Sequence, residues 1–399
     1  MRSMLVRVFV VVSLLSLVAG ACSSADNEGG ASPSGTASAK EYVIGYAAAL
    51  TGGLAPFDTP FKDGLEVAVQ ELNDKGGINE QIPIRLEIKD MKSDAALASQ
   101  VAQELVDSGI DMLITACDVD LSIASGTVAQ AAGIPALSSC ATTPTVPKAV
   151  GNYMFLVSMG DNAQATVDAD YAIKQSWKTA YLLGSPDTGY TAKMPEYFRE
   201  AFTTRGGEIA AEDTFSVNST DFSAQVSKID QQSPPPDFIF TPAYVPDIAV
   251  FLKQLRAAGI DIPVLGTDGD DSPLLVKVGG KAAEGMTFTT HGYVTPETPL
   301  DQFYKQYEAI KGSAPESIFA ALGADAVAVI DAAVTAAGST DGAAVRDAIA
   351  SLKDVQGATG PLTYENQNGV PLKNVYLVTV KEGQFELIES EVPEDVPAP

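Results

Sequence analysis

Two short apolar runs, each ending in a cluster of small polar residues, constrain this chain more than any other feature. Residues 111–114 run into Thr115-Ala116-Cys117-Asp118-Val119-Asp120, and residues 134–137 run into Ser138-Ser139-Cys140-Ala141-Thr142-Thr143. Each run reads as a buried parallel strand, and the stretch 121–132 between them reads as a helix. A strand, a helix and a second strand in that order put both polar clusters at the same edge of one sheet. In an open α/β sheet, the crevice outside the carboxyl ends of adjacent strands is where ligands bind. The two loops are therefore the first candidate site, suited to holding a small polar solute.

The same rhythm runs through the chain. Strands are expected at 42–50, 82–90, 111–116, 134–138 and 153–157, with helices at 60–75, from Ser93 or Asp94 to about 108, and at 121–132. Pro60 opens the first helix and Gly76-Gly77 stops it. The pattern restarts after Ser158. Helices are expected at 162–175, 191–205, 221–230, 246–258 and 272–278, alternating with strands at 179–183, 208–215, 238–240, 263–265 and 286–289. Helices at 299–310, 316–337 and 342–351 precede strands at 361–364 and 375–380 and a hairpin over 380–388. Alternation of this kind means βαβ units and mostly parallel sheets. There are too many strands for one core, so the fold class is α/β with two doubly wound, Rossmann-like lobes and a central ligand cleft.

The N-terminus addresses the chain outward. Arg2 and Arg7 precede an apolar run over 8–18, followed by small residues and Cys22. That is a secretory signal over 1–21, too short for an ordinary membrane span. Val18-Ala19-Gly20-Ala21-Cys22 resembles a bacterial lipobox, with Ala19 where Leu is preferred, and implies lipidation of Cys22. Residues 22–40, rich in Ser, Gly, Ala and Pro, read as a tether. The body would then sit outside the cytoplasm, held to the outer face of the cell membrane by its lipid alone. With 51 acidic and 25 basic residues, net charge −26, nucleic acid and anionic lipid are unsuited as direct partners.

Two further cysteines, Cys117 and Cys140, end neighbouring strands in a compartment that permits disulfides, so a bridge between the two site loops is expected. Two buried free thiols are the alternative. His291, the only histidine, is remote from both in sequence, which argues against a catalytic cysteine; it reads as a satisfied residue between the lobes. No metal site and no cofactor is expected.

The segments Leu50-Thr51-Gly52-Gly53, Leu72-Asn73-Asp74-Lys75-Gly76-Gly77-Ile78, Ala257-Ala258-Gly259-Ile260 and Gly360-Pro361-Leu362-Thr363-Tyr364 resemble type I periplasmic binding proteins of ABC importers, in the branched-chain amino acid and amide group. The resemblance covers about 41–385. It implies two lobes joined by three crossings, here 41–158 with 291–361 and 159–290 with 362–388, leaving 389–399 as an acidic, disordered tail. It also implies a monomer that closes on its solute and delivers it to a permease driven by ATPase subunits. In that family two loops and an acidic residue hold the solute's carboxylate and ammonium. The loops map onto Ala116, Cys117 and Asp118, and onto Cys140, Ala141 and Thr142; the acid maps onto Asp268. Aromatic walls map onto Phe57, Tyr190 and Tyr244, with Phe319 closing the side-chain pocket. Asp118 stands where amino acid binders carry a Ser that donates to the α-carboxylate. Paired with Asp268 it favours a cation, or a solute rich in hydroxyl or amide N–H groups. A cap on the following helix is the other reading of Asp118, with Asp120 an equally good cap.

Other uses of such a fold stay open at this point. A ligand-sensing receptor subunit would use the same lobes. An extracellular enzyme would need more than the carboxylate pair, since no nucleophile elbow, His-Glu-x-x-His or phosphate-binding loop occurs.

Overall fold

The structure is a computed structural model that describes residues 41–399. The signal segment, Cys22 and the tether lie outside the described residues. The first half builds a five-stranded sheet from β1 (Tyr42–Ala48), β2 (Ile84–Asp90), β3 (Met112–Thr115), β4 (Ala136–Ser138) and β5 (Met154–Leu156). Its order is β2-β1-β3-β4-β5 and every pairing is parallel. Helices α1 (Ala55–Asp74), α2 (Ala95–Asp107), α3 (Val119–Ala132) and α4 (Val146–Val150) make the crossovers.

After α5 (Asp161–Lys174) a second sheet forms from β6 (Thr179–Gly184), β7 (Glu208–Thr214), β8 (Phe238–Phe240), β9 (Val264–Gly266) and β10 (Thr287–Thr290). Helices α6 (Gly189–Thr204), α7 (Ser223–Asp230), α8 (Asp247–Ala257) and α9 (Pro273–Gly279) flank it. The chain then leaves for α10 (Pro299–Lys311), α11 (Phe319–Ala337), α12 (Gly342–Ser351) and the small hairpin β11 (Val355–Gly357) and β12 (Gly360–Leu362). It returns as β13 (Val375–Lys381) and β14 (Gln384–Glu391), which complete a seven-stranded sheet of order β14-β13-β10-β9-β8-β6-β7. Only β13 and β14 run antiparallel to their neighbours.

Local chemistry explains the recurring turn after α1. Asn73 donates from Nδ2 to the carbonyl of Ile84 and accepts from its N–H, both at 2.8 Å, so one amide pins the helix end to β2. Gly77 has φ +83, and a Cβ there would meet the Ile82 carbonyl at 2.2 Å, so only glycine fits.

Helix α11 is apolar enough and long enough to cross a membrane, yet most of it is buried; it is a core helix. It packs backbone to backbone on α1. A Cβ on Gly64 would lie 1.8 Å from the Ala320 carbonyl, and one on Gly323 would lie 2.4 Å from both the Leu65 nitrogen and the Phe61 carbonyl. This close approach brings Phe57 and Phe319, at the ring-centroid distance of 5.2 Å, to the same end of the helix pair.

Three boundaries differ from expectation. Helix α1 starts at Ala55, one turn before Pro60, because Pro56 already serves its first turn and Pro60 removes a single backbone bond. Helix α4, a single short turn with Pro144 before it and Pro147 in its first turn, was not expected. The acidic tail is shorter and not free: β14 runs through Glu391, Pro393 and Pro397 are buried, and Asn162 Nδ2 donates to the Pro397 carbonyl at 2.8 Å.

Alanine is the better helix former by about 1 kcal/mol, but at Gly323 the added methyl meets immovable backbone. Gly323→Ala should therefore lower unfolding free energy by about 1–3 kcal/mol, read from the urea midpoint; a neutral or stabilising result would show that α1 and α11 can separate freely.

Candidate functional site

The wall on the five-stranded sheet is organised by a side chain in the first turn of α1. Asp58 is fully buried. Its Oδ2 accepts from the Ala49 N–H at 2.6 Å, and its Oδ1 accepts from the Cys117 N–H and the Ser139 hydroxyl, both at 2.9 Å. One carboxylate thus ties the ends of β1, β3 and β4. Burial pushes it up to about 6, against donors that favour its ionised form. A disulfide joins Cys117 to Cys140, with Cα atoms 4.6 Å apart, and staples the same two loops. Ser138 Oγ accepts from the Ala141 N–H at 2.8 Å. Asp118 is the cap of α3, accepting from the Leu121 N–H at 2.9 Å, and it also faces the cleft. Capping falls to Asp118 and not to the exposed Asp120, so its carboxylate is held at the site and not freed from the helix. Burial raises it to about 6.

The opposite wall rises from the second sheet. Asp268 opens a single 3-10 turn after β9 and is 4% exposed. Its Oδ1 accepts from Gln164 Nε2 at 2.9 Å and from the Tyr190 hydroxyl at 3.1 Å, and its Oδ2 lies 3.1 Å from His291 Nε2. Gln164 turns its oxygen to the Asp268 N–H at 3.1 Å and the Thr289 hydroxyl at 2.7 Å, which fixes its amide orientation. Tyr190 also bonds Thr267. Tyr244 leans on Tyr190 at 6.5 Å and reaches across the cleft to the edge of Phe57 at 5.9 Å.

Between the walls lies a narrow cavity of about 50 Å³, open to solvent at its rim. Phe57, Cys117, Asp118, Cys140, Ala141, Thr142, Tyr190, Tyr244, Asp268 and Phe319 all line it. Ala116 does not. It is fully buried just past the end of β3, with its side chain in the apolar layer shared with α2 and α3. Leu54, Val119, Thr188 and Gly269 line the cavity without having been read from the sequence. Thr188 was legible as the cap residue in Asp187-Thr188-Gly189-Tyr190, since it accepts from the Thr191 N–H. Asp58, Gln164 and His291 carried no local signal, because their roles depend on strands far away in the chain.

The group of metal-ligand atoms lying within 4.8 Å of one another is Asp58, Cys117 and Cys140. Its sulfurs are joined to each other and its carboxylate is fully engaged, so it is a structural cluster. His291 Nε2 lies against Asp268 at 3.1 Å, and its Nδ1 has no hydrogen-bond partner among the described residues.

Several more carboxyls lie under the Asp268 wall. Burial pushes Asp161 up to about 7 and Asp271 up to about 6, and holds Asp168 and Asp270 well above the usual carboxylate range. Both oxygens of Asp168 lack a partner among the described residues. In the unfolded chain these groups ionise near 4, so between about pH 4 and 7 the native state holds more protons. Stability is then greatest at the acid end of that window and falls as pH rises. The urea midpoint should be higher at pH 5 than at pH 8, and Asp168→Asn should flatten the difference; a midpoint that rises toward pH 8 would contradict the assignment.

Comparison with known proteins agrees with this architecture. The profile of the periplasmic binding protein family matches residues 41–384. The chain is 28% identical over 325 residues to Leu/Ile/Val-binding protein homolog 3 of Brucella melitensis, covering 81% of this chain and 87% of that one. Crystal structures of the leucine binding protein LivK from Thermotoga maritima (27% identity, TM-score 0.81) and of LivJ from Streptococcus pneumoniae in complex with isoleucine (29%, TM-score 0.80) each match 89% of this chain and 99% of their own. The chain belongs to the periplasmic binding protein family, as a type I member of its branched-chain amino acid branch, and is a solute-binding protein, not an enzyme.

Proposed function

We propose that this protein is the capture subunit of an ABC importer, a lipoprotein that takes a small polar solute between two closing lobes and passes it to a permease with its ATPase subunits. The solute would be an amino acid, an amide or a related compound. Asp268 carries the reading: a buried carboxylate, steadied by Gln164, Tyr190 and His291, with open lone pairs toward a cavity walled by aromatic rings. That arrangement suits a solute N–H or ammonium group, with Phe57, Tyr244 and Phe319 packing on its apolar part. Relatives named for leucine, isoleucine and valine support a solute of that size. The lobes would move as 41–158 with 291–361 against 159–290 with 362–388, and the protein would act as a monomer. Nothing in the site asks for a cofactor.

A tether suits delivery, because it keeps the loaded protein at high local concentration near its permease. Lipidation of Cys22 would supply it. Cys22→Ser should move the protein from the membrane fraction to the medium, followed by fractionation and immunoblot; retention at the membrane would argue for another anchor.

The binding reading is tested at Asp268. Solute released by denaturing the purified protein is identified by mass spectrometry and returned by calorimetry. Asp268→Ala should weaken its binding at least about 100-fold, as expected for the loss of a buried charged hydrogen-bond partner, with an unchanged circular dichroism spectrum. Wild-type affinity in that variant would remove Asp268 from the site.

A further inference from the structure

Resting on the solute-binding reading above, we propose that this pocket takes solutes that present an ammonium or amide N–H group and carry no free carboxylate.

The observation behind this is how the protein uses its own donors. A solute carboxylate needs N–H or O–H donors at the strand ends of the five-stranded sheet, or at the N-terminus of α3, where helix N–H groups favour an anion. In this chain several of those donors already serve internal carboxylates or hydroxyls. The Cys117 N–H and the Ser139 hydroxyl donate to Asp58. The Leu121 N–H at the start of α3 donates to Asp118. The Ala141 N–H donates to Ser138 Oγ. The Thr143 hydroxyl donates to Asp161 Oδ2 at 2.5 Å, and the Thr142 hydroxyl also turns to Asp161. The anion seat that a Ser at position 118 would leave for the solute is filled by a residue of the protein.

Charge points the same way. Asp118 and Asp268 line the cavity from opposite walls, and no Lys or Arg lines it. His291 stands behind Asp268 and is bonded to it. Asp161, Asp168, Asp270 and Asp271 are buried beneath the second wall without a cationic partner among the described residues. A carboxylate entering this space would lie against Asp118 with no compensating positive charge, in a low-dielectric setting where like charges repel strongly. An ammonium or amide N–H would meet acceptors on both walls. Asp118 is then the residue that determines specificity, excluding α-carboxylates by already occupying their seat.

Calorimetry at pH 7.5 with four probes sharing one apolar tail tests this: L-leucine, L-leucinamide, 3-methylbutylamine and 4-methylpentanoate. Solute released on denaturation of the purified protein is identified in parallel. The proposal expects leucinamide or the amine to bind at least ten-fold more tightly than leucine, and any released solute to lack a carboxylate. It also expects Asp118→Ser, which keeps a side chain able to cap α3, to shift the leucine-to-leucinamide affinity ratio at least ten-fold toward leucine. Leucine or 4-methylpentanoate binding as tightly as the amide, a released solute with a carboxylate, or an unchanged ratio in Asp118→Ser each overturns the proposal while leaving the solute-binding reading intact. No released solute together with no binding of any probe overturns both.

Discussion

The site depends on one buried carboxylate. Asp58 collects an N–H from the end of β1, an N–H from the end of β3 and a hydroxyl from the end of β4. These strand ends are where a parallel sheet leaves backbone groups unpaired, and buried unpaired donors are costly. A single acceptor with two oxygens and several lone pairs resolves three of them. Desolvation opposes the charge, as its shift toward 6 records, but the bonds hold the loops in one arrangement. The disulfide between Cys117 and Cys140 acts on the same loops from the covalent side. The wall presented to the solute is therefore set before any solute arrives, which is the condition for binding without a large ordering penalty.

The second wall is built differently. Asp268 is held by side chains, not by strand ends, and its partners leave part of its acceptor capacity toward the cavity. Gln164 matters here because it contacts Asp268 twice, through the N–H and through Oδ1, while Thr289 sets which way its amide faces. An aspartate held by a side-chain amide and a phenol on one oxygen and by an imidazole on the other is fixed in orientation. The contrast between the walls gives the pocket its polarity. The first wall has several of its donors engaged internally, and the second offers an acceptor.

The alternation of apolar runs and helices was enough to read two parallel α/β layers, since period and order are local properties of the chain. The pairing of Cys117 with Cys140 followed from two strand ends that must be neighbours. Ala116 belongs to the right loop, but its side chain packs in the apolar layer beside α2 and α3, a placement that the loop's motif does not specify. Asp58 was invisible for a different reason. Placing the helix start at Pro60 left Asp58 in a loop, where an aspartate looks like ordinary surface. Only the turn starting at Ala55 brings it under three strands whose ends lie 9, 59 and 81 residues away in the sequence. Asp118 lay between two readings, cap and ligand contact, and the structure gives it both: the geometry that caps α3 also points the carboxyl at the cleft.

A further constraint sits where the chain passes between the sheets. Lys373 is 3% exposed and pairs at 3.0 Å with the fully buried Asp325 of α11, while donating also to the Val157 carbonyl at the end of β5. Thr359 donates to Asp325 from its N–H and hydroxyl. The Tyr364 hydroxyl bonds the Leu156 carbonyl at 2.7 Å, and the Leu156 N–H donates to the Gly369 carbonyl at 2.8 Å. The first and third crossings are thus laced together around a buried ion pair. Depriving one buried charge of its partner costs roughly 3–5 kcal/mol. The two sheets are thus joined through groups that cannot be separated without leaving a buried charge unpaired.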